Sequence, residues 1–537
     1  MSQAVLPDAV IDAQGSDSPP TRKRLPVAAW AIPLVAFSLI PGAAAQAFDG
    51  RIHAFRVPMY LAGTAIVLVV ALLTTTFLYF VVFSKDVRRS AGTGAVLTFV
   101  FFTWPIWLLL GQAVRQVVDV GFVADIATVG YVAGLIWLTA RLATNDAFVG
   151  VVTLVAVAIL VALAVLFAPR LVLGAAASAD PAGAGDRPDV VVLVLDGHAR
   201  DDVLARDYAT DGSLLVAGLR ERGFVVGEDA LSNYNMTYAS LATVQALDYS
   251  FPEGVRSDAN LNRMRSLLSG DSPLIRLFDE AGYSVTSLES AWWGSNCGPW
   301  VDECHRTGLL RRAAWSLGEV SPLAAIQRFV VPHPFVVVGL QHLDELGELL
   351  DGESSTPQLV FAHVTVPHPP LELTAACDVI VEADRADMIP RDATDDAGAG
   401  MIDRERYREQ LQCVDERALA AIDRLVAASD DVAMLVMSDH GPASQAQALS
   451  TVDEWTDDAL VEQFAVLSAA RVPEACESFE MGRTTVNTTR SFLGCVLGAD
   501  LPDLPDRSYA VPHENVLEGA VLDVTERLFA ADGGFGG

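Results

Sequence analysis

A chain of 537 residues exceeds one ordinary domain, and its 67 acidic and 36 basic residues leave a net charge of -31. That balance excludes a broad basic surface for nucleic acid or anionic lipid. The charge is unevenly spread: the first third is apolar and slightly basic, whereas everything after Leu171 is acidic and holds no lysine. Any cation gripping an anionic substrate there has to be arginine, histidine or a metal ion.

In chain order, residues 1–25 form a polar tail carrying Pro, Ser and Asp, expected to be disordered and cytoplasmic. Residues 26–174 hold five apolar stretches of the roughly 20 residues that a helix needs to cross a bilayer, at 26–48, 57–83, 94–114, 120–139 and 148–168. They predict a five-helix transmembrane bundle. A cleaved signal peptide is the rival reading of the first stretch, because Arg22, Lys23 and Arg24 precede it, but four more spans follow. Those three residues and Lys85, Arg88 and Arg89 after the second stretch fall on one side under the positive-inside rule. The expected topology is therefore a multi-pass plasma-membrane protein with a cytoplasmic N-terminus, and an odd number of spans leaves the remainder extracytoplasmic. Asp125 lies near enough to the end of its span to be solvated. With almost no charge inside the spans, a transporter has no support.

Residues 175–188, rich in Ala, Gly, Pro and Asp, read as a linker. In the domain 189–537, apolar runs of strand length at 190–195, 284–288, 359–366, 432–437 and 464–469 alternate with helical spacing at 274–281, 404–427 and 486–497. Strands buried on both faces and separated by helices predict an α/β domain with a mainly parallel, doubly wound sheet. Six cysteines (Cys297, Cys304, Cys377, Cys413, Cys476 and Cys495) all lie in this domain, which suits disulfides on the oxidising side of a membrane. Connectivity is open at this level; pairing neighbours joins 297 to 304, 377 to 413 and 476 to 495.

Ligands of such sheets sit beyond the carboxyl ends of the strands. Asp196 ends VVVLVLD, and Asp439 with His440 ends VAMLVMSDH, so a carboxylate from one strand and an oxygen–nitrogen pair from another leave the sheet in a form suited to zinc or manganese, with magnesium as the harder option. Thr237, in SNYNMTYASLATV, stands where a turn enters a helix, as an N-cap or as a hydroxyl beside free N–H groups and a positive dipole end. Ser240 and Thr243 compete with it. A divalent cation gripped by Asp196, Thr237, Asp439 and His440 would turn the hydroxyl into a nucleophile. His368, just after a strand, is placed to hold substrate oxygens or protonate a leaving alcohol. Arg200 is a candidate for the substrate anion or for a surface ion pair. His363 is assigned to the core, and Trp292 and Trp293 to packing. His198, His305 and His513 are open candidates for a second metal site, but their spacing selects none of them, so one metal ion is expected.

In this order VLDG, the Thr-containing turn, FAHVTVPHPP and SDHGP resemble the sulfatase-like branch of the alkaline phosphatase superfamily, over essentially all of 189–509. An outward-facing catalytic domain behind five spans also resembles lipoteichoic acid synthases, and phosphoethanolamine transferases are similar. The resemblance implies that Asp196 is the first acidic metal ligand, Thr237 the nucleophile, and Asp439 and His440 the paired ligands. The Cys-x-Pro-x-Arg or Ser-x-Pro-x-Arg element of true sulfatases is missing from NMTYASLAT, which disfavours sulfate-ester hydrolysis. What it implies instead is a phospho-threonine intermediate, and a membrane phosphotransferase acting on phospholipid headgroups or envelope glycans. The alternatives are a phosphatase or phosphodiesterase with water as acceptor, and a non-catalytic membrane sensor or scaffold. Oligomeric state is not read from the sequence.

Overall fold

The computed structural model describes residues 30–40, 57–103, 121–171 and 187–533, except 34, 38, 211, 252–257, 291, 293–296, 299, 320, 324–325, 328–329, 351–355, 381–403, 430, 443–451, 477–478 and 512–520. The tail, most of the linker and His513 lie outside the described residues, as do most of the first predicted span and the second half of the third.

Among the described residues one helix, Tyr60–Val82, is long and apolar enough to cross a membrane; a second candidate is the pair Gly130–Leu142 and Asp146–Val161, bent by 119°. The five-helix bundle is not established by these helices, and remains an expectation. The predicted third stretch begins in the structure at Val87, not at residue 94, because Asp86 caps that helix by accepting from the Arg89 amide. Small residues bring the apolar helices together. A side chain at Gly94 would collide with Thr75, so this pair of helices can approach only at glycine.

Each end of these helices has its own contacts. At one end Trp30, Ala91, Ala143 and Val149 cluster, Trp30 donates to the Ala143 carbonyl at 3.2 Å, and Arg88 pairs with Asp146 at 2.7 Å. At the other, Ala62, Val67 and Phe102 pack on Ala313 and Leu317 of the helix Leu309–Glu319, which belongs to the second half of the chain.

That second half is built on a seven-stranded sheet of order β2-β7-β6-β1-β5-β3-β4. Its strands are β1 Val190–Leu195, β2 Val225–Val226, β3 Ser284–Leu288, β4 Glu303–His305, β5 Gln358–Val364, β6 Ala433–Met437 and β7 Ser468–Arg471. β1 runs parallel to β5 and β6, and β3 parallel to β5 and β4; β7 and β2 are antiparallel. Alternate residues of β1 serve opposite faces, as strand geometry requires. Val190, Val192 and Val194 join one core with the helices Thr237–Ala246, Pro273–Glu280 and Thr485–Leu497. Val191, Leu193 and Leu195 join the other with Leu214–Glu221, Pro334–Leu346 and Arg404–Ala428. Helices thus cover both faces of a mainly parallel sheet.

One strand expectation is offset: of 464–469 only Phe464 is helical, Ala465 and Val466 form isolated bridges and Ser468 opens β7. The run straddles the end of the helix Asp457–Phe464 and the start of β7, because Thr456 caps that helix by accepting from the Ala459 amide and two aspartates occupy its first turn. An apolar run alone does not tell a buried helix end from a strand. The three disulfides are Cys297–Cys304, Cys377–Cys413 and Cys476–Cys495, the neighbour pairing.

On the helix Pro334–Leu346, His342 is fully buried and neither ring nitrogen has a hydrogen-bond partner. Burial, with Arg312 nearby, pushes its pKa down from 6.5 to about 3. The unfolded chain therefore binds one more proton between those values, so this contribution to stability is complete above pH 6.5 and is lost as pH falls toward 3. Denaturant unfolding at neutral pH and at about pH 5 is expected to show His342→Leu losing about 2 kcal/mol less than the wild type on acidification. Equal losses would remove His342 as the cause.

Candidate metal centre and active site

Asp196 and Asp439 come together because β1 and β6 are neighbours and end at the same edge of the sheet. Gly197 turns the chain immediately after Asp196 at φ +75°, a conformation that glycine adopts without strain. Its amide then donates to Asp439 Oδ1 at 3.2 Å, while its carbonyl accepts from the Tyr407 hydroxyl at 2.8 Å. The second strand end is held by Ser438, whose hydroxyl accepts from the His198 amide at 2.9 Å and donates to the His440 carbonyl at 2.8 Å. The two loops are thus tied to each other and to the helix Arg404–Ala428 through Tyr407.

His440 places Nδ1 2.8 Å from the Gly441 carbonyl, which keeps the ring proton there and leaves the Nε2 lone pair facing inward. Nε2 lies 3.0 Å from Thr237 Oγ1 and 3.5 Å from both Asp196 Oδ1 and Asp439 Oδ2. Asp196 Oδ1 and Asp439 Oδ2 are buried without a hydrogen-bond partner. Two carboxylate oxygens, an imidazole lone pair and a hydroxyl oxygen thus converge, and most of these groups are acceptors. A divalent cation is what such a donor set fits, with the oxygen and nitrogen character of a zinc or manganese site.

Thr237 is the first residue of the helix Thr237–Ala246, and Met236, not Thr237, occupies the cap position with no side-chain bond. The Thr237 hydroxyl is therefore not spent on the backbone. Its rivals are: Ser240 donates to the Tyr234 carbonyl at 2.8 Å, and Thr243 to the Ala239 carbonyl at 2.8 Å.

His368 joins the cluster, with a ring nitrogen close enough to Asp196 and His440 for the three to hold one ion, and its ring 5.8 Å from that of His440. Its Nδ1 faces the Pro369 carbonyl at 2.7 Å and its amide donates to the Asp196 carbonyl at 2.8 Å. His363, buried in its strand as expected, also reaches the cluster. From β5, opposite Val194 of β1, it brings Nε2 to 3.2 Å from Asp196 Oδ2, while Nδ1 meets Ser290 Oγ at 3.2 Å. A mainly parallel sheet was legible, but the pairing of β1 with β5 and the register that sets a strand-interior histidine beside Asp196 were not.

Arg200 is a correction. Its guanidinium is buried and taken up by Asp202, Asp532 and the Ala230 carbonyl, so its donors serve the fold and not an anion at this centre. His198 is bound to Asp415 at 3.0 Å and His305 to Glu303 at 3.1 Å, so neither completes a second metal site. Trp292 packs edge-on to His363 with centroids 5.8 Å apart, as a packing residue.

Burial alone would raise both carboxyls. Asp196 is held well below the carboxylate range because His368, His363 and His440 outweigh that penalty. Asp439 is raised, by burial and by the charge of Asp196. His440 is raised because the carboxylates of Asp439 and Asp196 win over its burial.

No family model and no curated protein matches the chain. Solved structures do. The C-terminal periplasmic domain of EptC from Escherichia coli is similar at TM-score 0.40 and 11% identity, over 63% of this chain and 93% of that one. The corresponding domain of the phosphoethanolamine transferase EptC from Campylobacter jejuni is similar at TM-score 0.36 and 11% identity, over 59% and 96%. A 2-O GAG sulfatase is similar at TM-score 0.39 and 13% identity, over 62% and 74%.

Adding manganese or zinc to metal-stripped protein at about one hundred times the dissociation constant is expected to raise its stability by about 2.7 kcal/mol. Asp439→Asn is expected to abolish most of that rise in a thermal melt. A melting point indifferent to both ions would overturn the cluster as a metal centre.

Proposed function

We propose that the chain is a metal-dependent, membrane-anchored phosphotransferase of the sulfatase-like kind, acting outside the membrane on phospholipid headgroups or envelope phosphodiesters through Thr237. The observation that carries the reading is the convergence of the Thr237 hydroxyl, His440 Nε2 and two partnerless carboxylate oxygens at one buried point. Asp196, Thr237, Asp439 and His440 would hold one divalent ion, zinc or manganese before magnesium. When bound, that ion supplies charge that lowers the pKa of a hydroxyl and offsets negative charge on a phosphoryl group.

The side chains divide the work. Thr237 Oγ1 releases its proton to solvent and forms a bond to phosphorus as the ester bond to the leaving alcohol breaks. His368, protonated on the ring nitrogen that faces the cluster, passes that proton to the leaving oxygen. An acceptor alcohol, or water in the hydrolytic alternative, then attacks the phosphorylated threonine and restores the hydroxyl. Because the helix Thr237–Ala246 begins at the nucleophile, its first N–H groups and positive dipole end would favour negative charge on the transferring group.

The two ends of the apolar helices support the topology. The end carrying Arg88, Asp146 and Trp30 is the one that the basic residues assign to the cytoplasm, and the catalytic half touches the opposite end, at Ala62, Val67 and Phe102. The partners would then be a lipid or envelope glycan substrate and the bilayer itself.

Protein incubated with headgroup-labelled phospholipids and digested is expected to carry the label on the peptide containing Thr237. Thr237→Ala is expected to lose the adduct and to lower turnover of an aryl phosphodiester by about three orders of magnitude, with Ser240→Ala far less affected. An adduct that survives Thr237→Ala would place the nucleophile elsewhere.

A further inference from the structure

The helix Leu309–Glu319 is two-sided. Ala313 and Leu317 face the apolar helix Val57–Phe77, at Ala62, Gly63 and Val67, with Ile66 packed beside them. Ala62 to Val67 is about 7 Å of helix rise, beginning close to the first apolar residues of Tyr60–Val82. Contact at that level puts the helix Leu309–Glu319 at the boundary between headgroups and acyl chains, the depth at which amphipathic helices rest.

The next segment continues this placement. Eight large apolar side chains are exposed among the described residues after 187, and four of them fall between 310 and 330: Leu310 at 66%, Leu323 at 49%, Ile326 at 59% and Val330 at 59%. In an otherwise acidic, water-facing domain such a concentration beside a membrane helix needs an apolar cover. Arg306 and Arg311, both exposed, suit the headgroup layer over it.

We propose that the helix Leu309–Glu319 together with Leu323, Ile326 and Val330 is a membrane seat: these residues insert apolar side chains into the outer leaflet and fix the sheet over the lipid plane. The occupant of the exposed face is phospholipid. The seat joins the sheet at the edge where the chemistry lies. Arg312, buried on this helix, binds the Glu289 carboxylate at 3.0 Å, and Glu289 follows the carboxyl end of β3 as Asp196 follows that of β1. Ser290, the next residue, meets His363, which meets Asp196. Three side-chain contacts therefore link the lipid-level helix to the cluster, which brings substrates lying in the bilayer plane to the open edge of the sheet.

The inference rests on the proposed reading of Tyr60–Val82 as a span, and not on the catalytic chemistry. The test uses the full chain in phosphatidylcholine–phosphatidylglycerol vesicles, with p-benzoylphenylalanine placed singly at Leu73, Leu323, Ile326 or Leu214. Irradiation is followed by mass spectrometry of the labelled peptides. Leu73 is exposed on the span and Leu214 is exposed elsewhere in the domain. Phospholipid adducts are expected at Leu73, Leu323 and Ile326, about tenfold above Leu214. Labelling at Leu73 with Leu323 and Ile326 no higher than Leu214 would overturn the seat alone. Cross-links from Ile326 to a second copy of the chain would also overturn it, by assigning the face to protein. No adduct at Leu73 would remove the span and the seat together.

Discussion

Two carboxylates at the ends of neighbouring strands, both out of water, repel one another at a cost that the protein interior magnifies. Asp196 and Asp439 are in that position, and the surrounding construction distributes their charge. His363 and the Gly197 amide each engage one oxygen, which leaves the two inward oxygens aimed at the point that His440 and Thr237 also face. A buried assembly of like-charged acceptors is unfavourable by itself, and a cation makes it favourable. The local sequence follows from this: uninterrupted apolar strands bury the approach, a glycine reverses the chain, and two loops are tied together through Tyr407 and Ser438.

Much of this arrangement can be read from residue order, because its logic is local. A run of six apolar residues ending in Asp-Gly describes a buried strand and its turn, and SDHGP describes another. Their adjacency, β1 beside β6, is supplied by the structure. What escaped was whatever depended on register or on a partner far along the chain. His363 is the clearest case: its neighbours in sequence mark it as core, and only its pairing opposite Val194 turns it toward Asp196. Arg200 failed for the opposite reason. Its position one turn after Asp196 suggested a ligand for an anion, but Asp532, 332 residues away, claims it. The strand expected at 464–469 is offset, since Phe464 closes the helix that Thr456 caps and β7 begins at Ser468.

The apolar third of the chain offers a different kind of regularity. Its helices meet at small residues, and the contacts at its two ends are chemically distinct: an ion pair and a tryptophan at one, a helix from the α/β domain at the other. Basic residues and domain contacts are unrelated observations, yet they assign opposite ends of the same helices. In the proposed topology the bundle therefore acts as more than a tether, since it holds the domain at a fixed height and orientation.

The disulfide Cys377–Cys413 fastens the stretch that follows His368 to the same helix that carries Tyr407, so one cross-link braces the histidine loop and the metal loops together. Thiols oxidise after export, not before it. Under the proposed orientation, then, this brace closes only after the domain has crossed the membrane.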